Sequence, residues 1–250
     1  MCRPVARSPC PSWPSGRSAM NPAGFPAGVI TGAHPGWPTR LGPLETRIGR
    51  VAGRPLRRSD WADWQRARVQ DEALIAPWDA TSDLTWAQRH SRTMWHSHRS
   101  LLRSGARRGE VVPFAITVEG RFAGQVTLGG IQRGALRSGW VGYWVDSQFH
   151  GRGVATAAVA LCVAHGFGPV GLHRIEATIA PENLASRAVV AHLGFRQEGH
   201  LVRYLDINGA WRDHLLYALT AEEVDRGLPQ LLQRWRSGGP DVSSGLGAGI

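Results

Sequence analysis

The chain has 250 residues, with 29 basic and 19 acidic side chains and a net charge of +10, and every basic residue is an arginine. Three cysteines make neither a disulfide framework nor a zinc-ligand spacing, and no run of 18 apolar residues is present to span a bilayer. No run of five like charges marks a nucleic-acid arm, so the basic surface fits either proximity to RNA or the ribosome, or an arginine-rich compositional habit.

The ends differ from the middle. Residues 1–45 hold nine prolines and many Gly, Ser and Ala without apolar periodicity, and the stretch after Arg236 is Gly/Ser-rich. Such composition buries too little apolar surface to offset ordering entropy. The expectation is an irregular N-terminal extension over 1–52, one domain over 53–223, a C-terminal helix over 224–235 and a tail over 236–250. The N-terminus lacks the continuous apolar segment of a signal peptide, which predicts a cytoplasmic protein away from membranes.

In chain order, Leu56-Arg57-Arg58 reads as a strand end and Ser59-Asp60 as a helix N-cap. Trp61, Trp64, Ala67, Arg68 and Asp71 follow at helical spacing, with the tryptophans as core candidates, and Pro77-Trp78 closes the section. One helix is expected over 85–102, with Trp86, His90, Thr93, Met94 and Ser97 on one face. A hairpin follows: strand 111–118, turn Glu119-Gly120-Arg121, strand 122–128. A further strand, 139–145, leads into Gln148-Phe149-His150-Gly151-Arg152-Gly153-Val154-Ala155-Thr156 and an apolar helix that places Cys162 in the core. Strand 175–180, helix 184–192 stopped by Gly194, and two closing strands around Asn208-Gly209 complete the pattern.

The strand–glycine turn–helix order aims bare backbone N–H groups and a positive helix end at one place, a cradle for phosphate. A Walker loop requires Gly-Lys-Ser/Thr, and this chain has no lysine. A dinucleotide fingerprint requires a third glycine where Thr156 stands. What remains, Gln-x-x-Gly-x-Gly-x-Ala, resembles the coenzyme A pyrophosphate loop of the Gcn5-related N-acetyltransferase (GNAT) superfamily. Leu172-His173-Arg174-Ile175, Pro181-Glu182-Asn183-Leu184-Ala185-Ser186, Leu193-Gly194-Phe195 and Gly209-Ala210-Trp211-Arg212-Asp213-His214 follow in that family's order. Together they resemble its ribosomal-protein N-terminal acetyltransferase (RimJ/RimL) branch, the alanine-specific members most.

That resemblance implies an α/β fold of the α+β type: a mixed, mostly antiparallel twisted sheet, helices on both faces, and a central splay between the fourth and fifth strands. It implies direct transfer from acetyl-CoA, without a metal, to a protein or peptide N-terminus, with a ribosomal protein as one such acceptor. Amides of Gly151, Gly153, Val154, Ala155 and Thr156 would hold the pyrophosphate, with Gln148 beside them, and Arg152 either adds charge at the rim or is solvated. A backbone N–H on a bulged strand at Val145 would polarise the thioester carbonyl. Glu176, a lone acid on an apolar strand, is the candidate base, or else a salt-bridge partner of Arg174 or Arg187. Ser186 is the candidate proton donor to the leaving thiolate, or a helix-start cap, and Asn183 a pantetheine contact or a cap. Trp78, Tyr143 and Trp211 are candidates for an acceptor cleft. Asp213 and His214 are adjacent on a strand and so face opposite ways, which assigns them structural or substrate-facing roles. Two alternatives stand beside an alanine N-terminal acetyltransferase: acetylation of a small amine such as an aminoglycoside or polyamine, and a basic ribosome- or RNA-binding module with little catalysis. No pattern specifies an oligomeric state.

Overall fold

A computed structural model describes residues 36–237. Residues 1–35, with Cys2 and Cys10, and the tail from 238 lie outside the described residues. The elements are β1 (Leu41–Thr46), β2 (Gly49–Arg54), α1 (Trp61–Gln70), α2 (Glu72–Ile75), α3 (Trp86–Arg89), α4 (Arg92–Arg107), β3 (Val112–Val118), β4 (Arg121–Gln132), β5 (Ser138–Val145), α5 (Val154–Phe167), β6 (Arg174–Ile179), α6 (Leu184–His192), β7 (Arg196–Ile207), β8 (Ala210–Thr220) and α7 (Leu228–Arg236). The strands form one eight-stranded sheet in the order β1-β2-β3-β4-β5-β6-β8-β7. Every neighbouring pair is antiparallel except β5–β6. That parallel pairing runs only from Ser138↔Arg174 to Trp140↔Glu176. Beyond it the two strands part, so the expected splay lies here.

Both faces of the sheet are covered. On β3, Phe114, Ile116 and Val118 join the core under α5, while Ala115 between them joins Leu56, Trp64, Trp95 and Phe122 on the other face. This follows from the two-residue period of a strand. Helix α5 is buried from Ala157 to Val163 because it lies between the sheet and helices α6 and α7, and Cys162 is fully buried within it.

Three sequence expectations change. Residues 41–52, expected within an irregular extension, belong to β1 and β2, and β2 pairs with β3 from Val51↔Val118 to Arg54↔Ala115. These strands carry few large apolar residues, so their register comes from β3 rather than from their own pattern. Asp60 precedes α1 without capping it by side chain. Its carboxylate instead accepts from Arg54 Nη1 (2.8 Å), Arg54 Nη2 (2.7 Å) and Arg57 N (2.7 Å), neutralising a buried guanidinium.

The single helix over 85–102 is two helices. Thr85 caps α3 and Ser91 caps α4, each side chain accepting from the backbone N–H three residues on. His90 breaks the run between them, its Nδ1–H donating to Trp86 O (2.7 Å) and its Nε2 accepting from Arg68 Nε (2.9 Å). The buried side of α4 carries Trp95, Gly105 and Ala106, whereas Thr93, Met94 and Ser97 are exposed. The expected helical face spans this break, and each cap resets the helical phase.

Candidate active site

The glycine loop arrives as the sequence implies. Gly151 and Gly153 have φ of 67° and 81°, and Gly153 is the N-cap of α5 without a side-chain cap. No N–H from Gly151 to Thr156 finds an acceptor among the described residues. These orphan donors and the positive end of α5 make an anion site. The side chains of Val154 and Thr156 are buried, so these residues offer a ligand their backbone only. Arg152 is exposed and makes no ion pair among the described residues.

The two glycines serve different ends. A Cβ built on Gly151 meets nothing within 4 Å, whereas one on Gly153 comes within 2.5 Å of Trp235 Cζ2. Gly151 faces open space, and Gly153 is covered by an indole from α7. Gln148 does not face the ligand cradle through its amide nitrogen. Its Nε2 donates to Asp146 Oδ2 (2.7 Å), and that carboxylate, fully buried, also accepts from Arg66 Nη2 (2.9 Å). Ser147 N donates to Asp71 Oδ2 (2.7 Å), which ties the loop's start to the end of α1.

Below the splay lies a cleft of about 370 Å³. Tyr143 on β5, Thr178 on β6, Asn183 and Ser186 at the start of α6, and Arg212 and His214 on β8 line it, and Pro77-Trp78 closes one side. Asn183 Oδ1 accepts from Ser186 N (3.1 Å), capping α6, while its Nδ2 has no partner among the described residues. The Ser186 hydroxyl likewise has none. Tyr143 crosses the splay, its hydroxyl donating to Ser186 O (3.1 Å), and burial pushes the phenol above its ordinary value.

The segment carrying Trp78 is stitched to the β7–β8 turn. Thr81 N donates to Asp206 O (3.0 Å), Asn208 N to Asp79 O (3.2 Å) and Gly209 N to Thr81 Oγ1 (2.7 Å). Asp79 Oδ2 accepts from Arg68 and Arg89 at 2.7 Å each, anchoring the strap at its other side.

Other candidates are not brought together. The Val145 side chain is in the α5 core and its carbonyl accepts from the His150 ring (2.8 Å), while its N–H faces away from β4, where Asp146 N donates to Ala123 O (2.9 Å). The β4–β5 register is regular from Gly124↔Val145 to Gly129↔Trp140, and the irregularity falls between Gly129 and Gln132, so the bulge expected at Val145 is at the strand's other end. Glu176 pairs with Trp140 before the splay opens, lines no part of the cleft, and accepts from Arg174 Nε (2.7 Å). Trp211 is 64% exposed and outside the cleft. Asp213 faces away with it, accepting from His200 Nε2 and Arg203 N (2.8 Å each). His214, to which the sequence assigns, with Asp213, a structural or substrate-facing role, is in the cleft. The signal was there: Leu215, Tyr217 and Leu219 are the core phase of β8, so His214 has the opposite phase. Among the described residues no group of three or more His, Cys, Asp or Glu is placed to hold a metal.

Residues 50–196 match the acetyltransferase (GNAT) domain family. The chain is an N-acetyltransferase of the GNAT family. RimJ of Mycobacterium smegmatis, solved in complex with CoA-disulfide, is 51% identical, with 80% of this chain and 96% of that one covered and a TM-score of 0.78. The ribosomal protein uS5-alanine N-acetyltransferase of Escherichia coli is 26% identical over 161 residues, 64% of this chain and 81% of that protein. Bacillus subtilis YjcK is 42% identical over 99 residues, 40% of this chain, and the match spans only 55% of YjcK. The GNAT match ends within β7, so Arg212 and His214 on β8 lie beyond the matched residues.

Proposed function

We propose that this protein transfers the acetyl group of acetyl-CoA directly to the α-amine of an alanine-starting protein N-terminus, with a ribosomal protein as the acceptor class and action close to the ribosome. The observation that carries the reading is the 51% identity to a RimJ over nearly that protein's whole length, coupled with the open glycine cradle. Acetyl-CoA supplies an activated acetyl thioester. The N–H groups from Gly151 to Thr156 hold its pyrophosphate, and the free Nδ2 of Asn183 donates to a pantetheine carbonyl. The carbonyl-polarising N–H is that of Val145, on the edge of β5 past Trp140 where β6 takes none of its hydrogen bonds; Asp146 N donates to Ala123 O on the β4 side, so Val145 N faces the other way. The Ser186 hydroxyl gives a proton to the leaving sulfur. The strap at Pro77-Trp78 narrows the acceptor side, which suits an extended chain end.

The test is release of CoA thiol from acetyl-CoA with Ala-, Ser- and Met-starting peptides, spermidine and an aminoglycoside. The expected result is turnover greatest on Ala-starting peptides. Turnover on spermidine or the drug with none on any peptide overturns the acceptor class. Turnover on nothing, with no binding of acetyl-CoA, overturns the enzyme reading.

A further inference from the structure

We infer that His214 is the general base that takes the proton from the acceptor amine, an inference that rests on the acetyl-transfer reading above. The residue lines the cleft together with Asn183 and Ser186, so it shares the cavity with the proposed donor-side groups. Its ring is held in one tautomer. Nδ1 lies 3.1 Å from the Arg212 carbonyl oxygen, and a carbonyl only accepts. Nδ1 therefore carries the hydrogen, and Nε2 carries the lone pair. Nε2 has no hydrogen-bond partner among the described residues. The Tyr204 ring packs at 5.9 Å and 63° and fixes the plane of the imidazole, whose residue is only 5% exposed.

The competing carboxylates are worse placed. Glu176 is held by Arg174 outside the cleft. Glu182, which lines the rim, is exposed, and a solvated carboxylate is a weak base toward an amine. The charged and titratable groups around His214 are Glu182 and Tyr143 on the same cavity, Arg212 on its own strand and Tyr204 on β7. Asp213 and His200 pair with each other on the opposite side of β8.

The step balances. From the neutral amine, the nitrogen lone pair forms the N–C bond while His214 Nε2 accepts one N–H proton. Ser186 Oγ gives its proton to the sulfur as the C–S bond breaks and regains one from His214 through solvent. Amine and thioester become amide and thiol with no net proton change.

The experiment compares wild type with His214→Gln on the amine that wild type acetylates. The variant is expected to lose about 10²-fold or more in kcat, to keep its acetyl-CoA affinity by calorimetry within twofold, and to lose the rise of kcat with pH. Added imidazole is expected to restore part of the rate. In wild type without acetyl-CoA, the His214 Nε2 resonance is expected to shift when an Ala-starting peptide is added. Glu176→Gln is expected to keep the wild-type pH profile. A His214→Gln enzyme within fivefold of wild type, with the same pH profile, overturns the assignment. A loss of acetyl-CoA affinity equal to the loss of rate also overturns it, because that reports damage to the fold. A wild type that acetylates spermidine but no peptide refutes the peptide reading alone, and the same comparison is then made on spermidine.

Discussion

Replacing Gly153 with alanine tests the two demands that the structure makes on this glycine. The residue sits at φ 81°, where an L side chain costs about 1–2 kcal/mol. Its new Cβ would stand 2.5 Å from Trp235 Cζ2 and 3.1 Å from Cη2, against ordinary contacts of 3.4 Å or more. The indole has to retreat by roughly 1 Å, and overpacking of that kind costs about 1–3 kcal/mol. Gly153→Ala is therefore expected to lose about 2–5 kcal/mol in all. Gly151→Ala shares the strained backbone, at φ 67°, but its Cβ meets nothing within 4 Å, so it is expected to lose about 1–2 kcal/mol. Trp235→Ala removes a partly buried ring at about 2 kcal/mol. In the double variant Gly153→Ala/Trp235→Ala the steric part vanishes, so the sum of the single losses is expected to exceed the double by about 1–3 kcal/mol. Urea unfolding of the four proteins, at constant m-value, measures the cycle. Additivity within about 0.5 kcal/mol would mean that the indole does not bear on the loop, and the account of Gly153 would fall.

Acid should weaken the fold through buried histidines. Burial, and then the nearby Arg68 charge, hold His90 down at about 4, below the ordinary 6.5. The unfolded chain thus binds the proton first, so this contribution is complete above about 6.5 and is lost as pH falls toward 4, by up to about 3 kcal/mol. Burial shifts His98 and His165 the same way. Urea midpoints from pH 8 to 4.5 should fall steeply, and less steeply in His90→Gln; a flat profile contradicts this account. Ser186→Ala, which keeps the backbone contacts of residue 186 with Asn183 and Tyr143, is expected to lower kcat by about 10²-fold with the acetyl-CoA KM little changed. A rate within twofold of wild type in steady-state assays removes the hydroxyl from the mechanism.

Local chemistry makes much of this molecule legible in its sequence. Glycines at 151 and 153 reach positive φ with little strain whatever packs around them, and a helix start leaves its N–H groups unpaired wherever it lies. The loop, the two-residue alternation in the strands, the α6 boundaries and the Asn208-Gly209 turn were therefore readable. The break at His90 was not, because Ser91 as a cap competes locally with a longer helix, and the Arg68 guanidinium and Trp64 ring that meet His90 come from α1. Nor was the hairpin β1–β2, whose buried side is defined by β3, more than 60 residues on.

By itself the sequence determined the donor side: a glycine-bearing helix start that binds an anion through backbone alone, in a motif order that resembles one enzyme family. Tertiary structure decided the acceptor side. It left Glu176 outside the cleft, turned Trp211 to solvent, and brought His214 to the same cleft as Ser186. The physical reason is range. Backbone conformation and helix-end donors are set within a few residues, whereas the exposure, charge partner and facing of a side chain depend on which distant segment the fold lays against it. Trp235 shows the limit: it covers Gly153 from more than 80 residues away, and nothing near either residue announces the contact.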